Sequence, residues 1–486
     1  MSSFVFYDTE TTGTDTAFDQ ILQFAAIQTD ENLRELDRFE IRCRLLPHVV
    51  PAAGALITTG VSPSLLTDSA LPTHYEAARQ IARRLADWSP SIFLGYNSMS
   101  FDEELLRQTF YQTLQPIYVT NTNGNTRGDI LSLVNASMVV APTALTIPIG
   151  TSGKQTRKLD TLAPANGYAH PKAHDALADV EATIFLAKVI RGAAPAVWEE
   201  FIRLRSKPAV IARLSERGPF YQTEFYGTTP AVIPLTGCGT APGADSLGCA
   251  FDLRYDPRDY LRLDEEELPS VMNGRKKALR YVPSNKQPML LASESSFALP
   301  YAAADRDEFR SRADLIYRSQ DFRARACRAL SRQFSDRPQG IHVEQRIHEQ
   351  FFSSADAALL SSFHDVDWVA RGTVVEQLAD DRLRELGKRL IFVEKPDVMD
   401  VVEKTELETW TMDRLFGFGP EGPRSLDESY QEVCRLIETE GHEQQSLLTE
   451  IRVWLSEKLA TAPRIDVSPN LWHSLMSARQ DQEVEV

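Results

Sequence analysis

The chain has 486 residues, 43% of them hydrophobic and 25% charged, with a formal net charge of −16. That length exceeds one ordinary core and calls for two or three domains. The acidic balance excludes a surface that coats nucleic acid indiscriminately, though it leaves room for a local basic groove.

Phe4-Val5-Phe6-Tyr7-Asp8-Thr9-Glu10 reads as a buried strand interrupted by two carboxylates and ended by Thr11-Thr12-Gly13. Alternate side chains share a strand face, so Asp8 and Glu10 point the same way at its C-terminal end. Adjacent buried carboxylates repel unless a cation neutralises them. A divalent metal is one reading; a strand end dipping into water is the other. Residues 23–28 form a second strand, and Phe39, Ile41, Cys43 and Leu45, alternating with polar residues, a third. Short connections make the three an antiparallel meander.

Thr73-x-x-Glu76 is a capping-box pattern that opens a helix to about Trp88. Ile92-Phe93-Leu94 is a short strand leading to Gly95-Tyr96-Asn97. Ser100-x-x-Glu103 is a second capping-box pattern, which puts Asp102 in the first turn of the next helix. A further helix runs from about Asp129 to Val139, and a loop rich in Gly, Thr and Pro leads to Leu159–Leu162. Ala173-His174-Asp175-Ala176-Leu177-Ala178-Asp179 opens the last helix of the unit. His174 and Asp179 would stand roughly 140° apart around a helix. They face one site only if Asp175 is the N-cap and His174 lies in the entering loop. Three antiparallel strands followed by alternating helix and strand predict a mixed sheet with helices packed on it, closed at residues 191–195.

From about Phe220, short β-type runs (220–226, 231–235, 249–255) between Gly and Pro clusters suggest a small barrel or meander. Residues 306–337 are Arg-rich and helical in pattern, and the final third is helical as well. There Ser425-x-x-Glu428 caps one segment, and Leu447, Leu448, Ile451, Leu455 and Leu459 form a packing stripe on another. Asp481 to Val486 reads as a frayed acidic tail. The five cysteines (Cys43, Cys238, Cys249, Cys327 and Cys434) are scattered without a C-x-x-C pair, which suits reduced thiols. No run reaches the ~18 apolar residues of a membrane span and no signal peptide is evident, so a cytoplasmic protein is expected.

Asp8, Glu10, Asp102 and Asp179 thus offer four carboxylates at one end of a sheet, with His174 beside them. Such a set suits two Mg²⁺ ions, hard cations that take oxygen ligands. Two metals about 4 Å apart stabilise both the attacking and leaving oxygens of an in-line phosphoryl displacement. A histidine there suits general-base work. Singly, each has a plainer account: Asp102 as a helix-dipole partner, His174 as a structural residue.

Three stretches, Tyr7 through Gly13, Asn97 through Asp102, and His174 through Asp179, resemble the motifs of the DEDD-type 3′–5′ exonucleases whose base is histidine. Gln23 to Ile27, Leu94 to Asn97, Phe101 to Glu104, Ala173 to Ala176, and Phe351-Phe352-Ser353-x-Ala355-Asp356 are closer still to the bacterial exodeoxyribonuclease I family. The resemblance implies an α/β, ribonuclease-H-like exonuclease domain (1–192), an SH3-like β domain (196–342) and a helical C-terminal domain (343–480), clamped on single-stranded DNA. It makes Asp8, Glu10, Asp102 and Asp179 the ligands of two Mg²⁺ ions, with Mn²⁺ as a substitute, and His174 the base. Glu10, Lys158, Arg107 and Lys207 become substrate contacts; Lys158 stands where the family has Arg, keeping charge but losing the bidentate fork. Two positions depart: Gly128 replaces an aromatic and Asn135 an arginine.

The family also implies a monomer acting in DNA repair, with a basic pocket for the acidic tail of single-stranded DNA-binding protein. Arg275, Lys276, Lys277 and Arg280, or the stretch from Arg318 to Arg332, are candidates for that pocket, and a solvated helix face is the alternative. An exoribonuclease using the same five residues and a non-catalytic DNA-binding scaffold are the competing readings. The long extension beyond the first domain disfavours the former; the intact acid set disfavours the latter.

Overall fold

The computed structural model describes residues 3–169, 174–226, 229–274, 276–292, 297–334, 340–417, 422–439, 441 and 444–461. The opening apolar run is strand β1 (Ser3–Thr11). With β2 (Ile21–Thr29), β3 (Glu35–Arg42), β4 (Ser91–Gly95) and β5 (Thr126–Asp129) it forms a sheet of order β3-β2-β1-β4-β5. The first three strands are the expected antiparallel meander, and β4 and β5 extend the sheet parallel to β1. The C-terminal ends of β1, β4 and β5 therefore share one edge, the side of an open α/β sheet where ligands are usually bound.

β1 is apolar on both sides because helices cover both faces. Phe4 and Phe6 pack with Ile130, Leu133 and Val180; Val5 and Tyr7 pack with Ile81, Leu85, Leu105 and Phe110. The capping box of helix His74–Asp87 forms in both directions, Glu76 N donating to Thr73 Oγ1 at 3.1 Å and Thr73 N to Glu76 Oε2 at 2.9 Å. The second predicted box does not form. Ser98–Ser100 is a short 3₁₀ turn, and Phe101 takes the N-cap position of helix Asp102–Gln112 without a side-chain cap. Glu103 turns inward instead and is fully buried. The third strand ends at Arg42, earlier than the alternation suggested. Cys43 leaves the ladder and donates its thiol hydrogen to Ile21 O at 3.1 Å.

The second sheet is antiparallel throughout, in the order β10-β6-β7-β8-β9: β6 (Phe220–Tyr226), β7 (Thr229–Ala241), β8 (Ala244–Asp252), β9 (Leu279–Pro283) and β10 (Leu290–Ala292). Helices Ala303–Arg318 and Gln320–Gln333 pack on it through Phe309, Ala313, Phe322 and Ala326. One apolar core runs from β1 through Trp198 and Phe201 of helix Pro195–Arg203 into Tyr221, Val232 and Phe251 of the second sheet. Phe4 meets Trp198 edge to face at 5.7 Å.

The C-terminal region is helical, as expected. Ser425 caps helix Leu426–Thr439 with Glu428 reaching back to it. Leu448, Ile451 and Leu455 point inward against Leu22, Leu56 and Val433, flanked by Leu447 and Leu459. Elsewhere Phe363, Leu383 and Leu386 pack on Tyr75 and Tyr111 of the first unit. Among the described residues no helix is long and apolar enough to cross a membrane. The acidic tail 481–486 lies outside the described residues.

Candidate active site

Asp8 and Glu10 leave the same face of β1 at its C-terminal end. A carboxylate oxygen from each and one from Asp179 lie within 4.8 Å of one another. Asp179 occupies the first turn of helix Ala176–Ala193, whose N-cap is Asp175, accepting from Ala178 N at 3.3 Å. Arg42 and Gln23 donate to the other Asp175 oxygen at 3.1 and 3.3 Å, which anchors the helix start to the sheet. His174 sits in the entering turn, exposed and with φ of 65°, at the same helix end as Asp179. That is the arrangement the five-residue spacing required.

Asp102 comes from the other side of the strand. Thr9 alternates with Asp8 and Glu10, so it faces away from them, and its Oγ1 donates to Asp102 Oδ1 at 2.5 Å. The turn that delivers Asp102 is shaped by Asp129, whose carboxylate accepts from Asn97 N at 2.9 Å and Met99 N at 3.3 Å. Asn97 takes φ of 61°, a left-handed conformation that asparagine tolerates better than most residues. A Cβ at Gly95 would meet Ser98 Cβ at 2.5 Å and Tyr7 O at 3.0 Å, so only glycine lets the turn pass this close to β1.

Burial and the neighbouring acids push the carboxyls up. Asp8 is raised well above the usual range by burial, then by Asp102, Asp179 and Glu10. Glu10 is pushed up to about 8 by burial and by Asp179 and Asp102. Asp102 is raised to about 7 by burial, against the opposing hydrogen bond from Thr9. A divalent cation relieves this repulsion, and an all-oxygen donor set fits a hard ion such as Mg²⁺ or Mn²⁺. Glu103 behaves oppositely. Although burial acts to raise it, Arg127 and Arg107 with the Thr120 and Tyr7 hydroxyls hold its carboxyl below the usual range.

Residues 5–187 match the exonuclease family model of the RNase T type. The chain carries an exonuclease domain of the RNase T family. Over 414 residues, 80% of this chain and 84% of the relative, it is 29% identical to exodeoxyribonuclease I of Haemophilus influenzae. Escherichia coli exonuclease I in complex with a dA16 oligonucleotide superposes over 94% of this chain and 100% of that one, with a TM-score of 0.80 at 23% identity. The zinc-bound form of the E. coli exonuclease I–single-stranded DNA complex gives 0.79 at 23% identity with the same coverage. At that identity the likeness is one of fold, and the fold matches across nearly the whole exonuclease chain.

Around the acid cluster of this exonuclease, the other predicted contacts differ in character. Lys158 is exposed at the start of helix Leu159–Ala165. Lys207, half-exposed, lies 3.9 Å from Asp245. Arg107 is buried, its guanidinium paired with Glu103 and Glu104 at 3.1 Å each and lying over the Tyr118 ring. Of the partner-pocket candidates, Arg275 lies outside the described residues, and Lys276 and Lys277 are exposed. Arg280 is committed to Glu224 and Asp252 at 3.1 and 3.0 Å. Arg328 and Arg332 share Glu265, and Arg318 and Arg325 pair with Asp314 and Asp321. Much of the arginine-rich stretch is thus locally neutralised. Sequence reasoning missed Thr9, Tyr7, Glu103 and Asp129 as site-shaping residues; the alternation of Tyr7 and Thr9 with the two acids was the available signal.

Proposed function

We propose that this exonuclease degrades single-stranded DNA from its 3′ end, processively and to 5′-mononucleotides. The observation that carries the reading is the Asp8–Glu10–Asp179 cluster, with Asp102 drawn in through Thr9, at the end of the central strand of an exonuclease domain. Asp8, Glu10, Asp102 and Asp179 would hold two Mg²⁺ ions, with Mn²⁺ as a substitute. Bound there, the ions supply charge stabilisation to the attacking and leaving oxygens of phosphodiester hydrolysis. His174 takes the proton of the attacking water at a ring nitrogen; imidazole is the side chain that exchanges protons near neutral pH. Glu10, Lys158, Arg107 and Lys207 orient the strand end.

We take the units as 1–192 for the nuclease domain, 196–342 for an SH3-like domain and 343–480 for the helical domain. Together they clamp the strand in a monomer that works in cytoplasmic DNA repair and docks the acidic tail of single-stranded DNA-binding protein. Support for the DNA reading comes from relatives named exodeoxyribonuclease I and from the oligonucleotide complexes of the E. coli enzyme. The test uses 5′-labelled single-stranded DNA, duplex DNA and RNA, each with Mg²⁺ or with chelator. Mg²⁺-dependent shortening of the single-stranded DNA alone is expected. Preferred cleavage of RNA would favour an exoribonuclease, and binding without cleavage a scaffold.

A further inference from the structure

Strand β1 has a second working face. Asp8 and Glu10 lie on one face, and Tyr7 and Thr9, by alternation, on the other. There they grip the first two residues of helix Asp102–Gln112: Thr9 Oγ1 donates to Asp102, and Tyr7 Oη donates to Glu103 Oε2 at 2.8 Å. Two residues spaced i and i+2 on the strand thus hold two consecutive residues of the helix.

Glu103 is the fixed end of this grip. Its other oxygen accepts from Thr120 Oγ1 at 2.6 Å and Arg127 at 2.7 Å, with Arg107 at 3.1 Å. Those cations are themselves held. Arg127 also donates to Asn285 O at 3.1 Å, beside the second sheet. Arg107 also pairs with Glu104, which lies 3.3 Å from His348 of the C-terminal region. A fully buried carboxylate with charge-assisted partners on several elements resists displacement. The Tyr7 bond therefore registers β1 against an anchored helix start.

We propose that Glu103, acting through Tyr7, is a positioning residue that sets the separation between the Asp8–Glu10–Asp179 cluster and Asp102, and with it the affinity of the second divalent ion. The inference rests on the two-ion reading above. The three-acid cluster is assembled on the opposite face of β1 with helix Ala176–Ala193, so the first ion does not depend on this bond. Asp102 does, because among the described residues Thr9 alone, through its hydroxyl and its backbone N–H, otherwise ties the Asp102 carboxylate to the strand, and Tyr7–Glu103 fixes the helix start that carries it.

The test is Mn²⁺ binding to the full chain, followed through the spectrum of free Mn²⁺, together with thermal melting and steady-state cleavage of single-stranded DNA. Wild type should bind two ions. In Tyr7→Phe the second should weaken ~10–100-fold, the range seen when partners of metal ligands are removed, with the first within about twofold. kcat should fall while KM for DNA holds. Thr120→Val removes a donor to the same carboxylate without touching β1; it should lower the melting temperature and leave both affinities in place. Glu103→Gln should exceed Tyr7→Phe, and the outcome does not hang on its folding because Tyr7→Phe keeps the charged network intact. If Tyr7→Phe lowers the melting temperature as Thr120→Val does but keeps both Mn²⁺ affinities, Glu103 is only structural and the inference falls. A folded wild-type chain that binds fewer than two ions would sink the two-ion reading itself.

Discussion

Metal uptake by this site must expel protons, and their number follows from the acids. In the metal-free chain burial and mutual repulsion hold Glu10 at about 8 and Asp102 at about 7, with Asp8 well above the usual range. At pH 7 Glu10 is therefore ~90% protonated and Asp102 ~50%, so ligation releases ~1.4 protons from these two, with Asp8 adding to the sum. At pH 9 the same pair releases only ~0.1. The fraction of sites with both acids ionised rises from ~5% to ~90% between these pH values, so these two acids alone lift affinity ~20-fold, with Asp8 adding to the rise. Calorimetric Mn²⁺ titration in buffers of different ionisation enthalpy counts the protons, and Glu10→Gln should cut the count at pH 7 by ~0.9. Release below about half a proton at pH 7, with affinity shifting less than about threefold by pH 9, would refute the repulsion model of the site. The sign for stability follows from the same shifts. Glu10, raised above its unfolded value near 4.5, keeps a proton in the folded chain that the unfolded chain has lost, so this contribution fades as pH rises through about 8. His48 and His74, buried and lowered, act oppositely below about 6.5, so chelated protein should lose stability between about pH 6.5 and 8.5. Mn²⁺ should restore it increasingly.

Asp8→Ala or Asp179→Ala should abolish cleavage while single-strand affinity, carried by phosphate contacts and stacking, persists; cleavage within about tenfold of wild type would remove that residue from the metal site. His174→Ala should cost ~10²–10⁴ in rate and recover partly at high pH as hydroxide replaces the base. An unchanged pH–rate profile in that variant would count against His174 as the base. A chain ending at Arg191 should keep the acid cluster but uncover Phe4 and the rest of the surface that Trp198 and Phe201 pack on, at about 1.5–3 kcal/mol per large side chain. If it remains soluble, product lengths with a DNA trap at two salt concentrations should show distributive, less salt-sensitive cleavage. Full processivity and full salt sensitivity would leave partner docking as the better account of the remaining chain.

The acid strand and the helix carrying Asp179 were legible because their signals are local: alternation on β1, a turn at Gly13, an Asp175 cap three residues before its donor, Ala178 N. Glu103 shows where local signals fail. Ser100-x-x-Glu103 satisfies a capping pattern, yet Tyr7, Thr120, Arg107 and Arg127, up to 96 residues away in sequence, draw its carboxylate inward. β5 failed for the complementary reason. Thr126-Arg127-Gly128-Asp129 has no apolar alternation, and it becomes a strand because the parallel edge of β4 offers it backbone partners. Arg280 was singled out for charge alone, and charge does not reveal that Glu224 and Asp252 already consume it.

The two departures from the family pattern carry a physical consequence at the junction of the sheets. A Cβ at Gly128 would run into Gln287 Oε1 and Leu94, so no aromatic side chain fits there in this chain. Gln287, from the turn before β10, fills that space, accepting from Asp129 N at 3.1 Å and donating to Phe201 O at 2.7 Å. At the second departure, Asn135 Oδ1 accepts from Arg157 at 3.0 Å, and the Arg157 guanidinium stacks 4.0 Å over Phe225 of β6. Both positions thus engage the second sheet or a residue stacked on it. Asp129 in turn shapes the turn that delivers Asp102. The second sheet therefore braces the edge on which the acids stand, a role separate from the strand binding proposed for it. Removing it should disturb the geometry around Asp102 more than that of the Asp8–Glu10–Asp179 cluster, which is assembled within the first sheet and helix Ala176–Ala193.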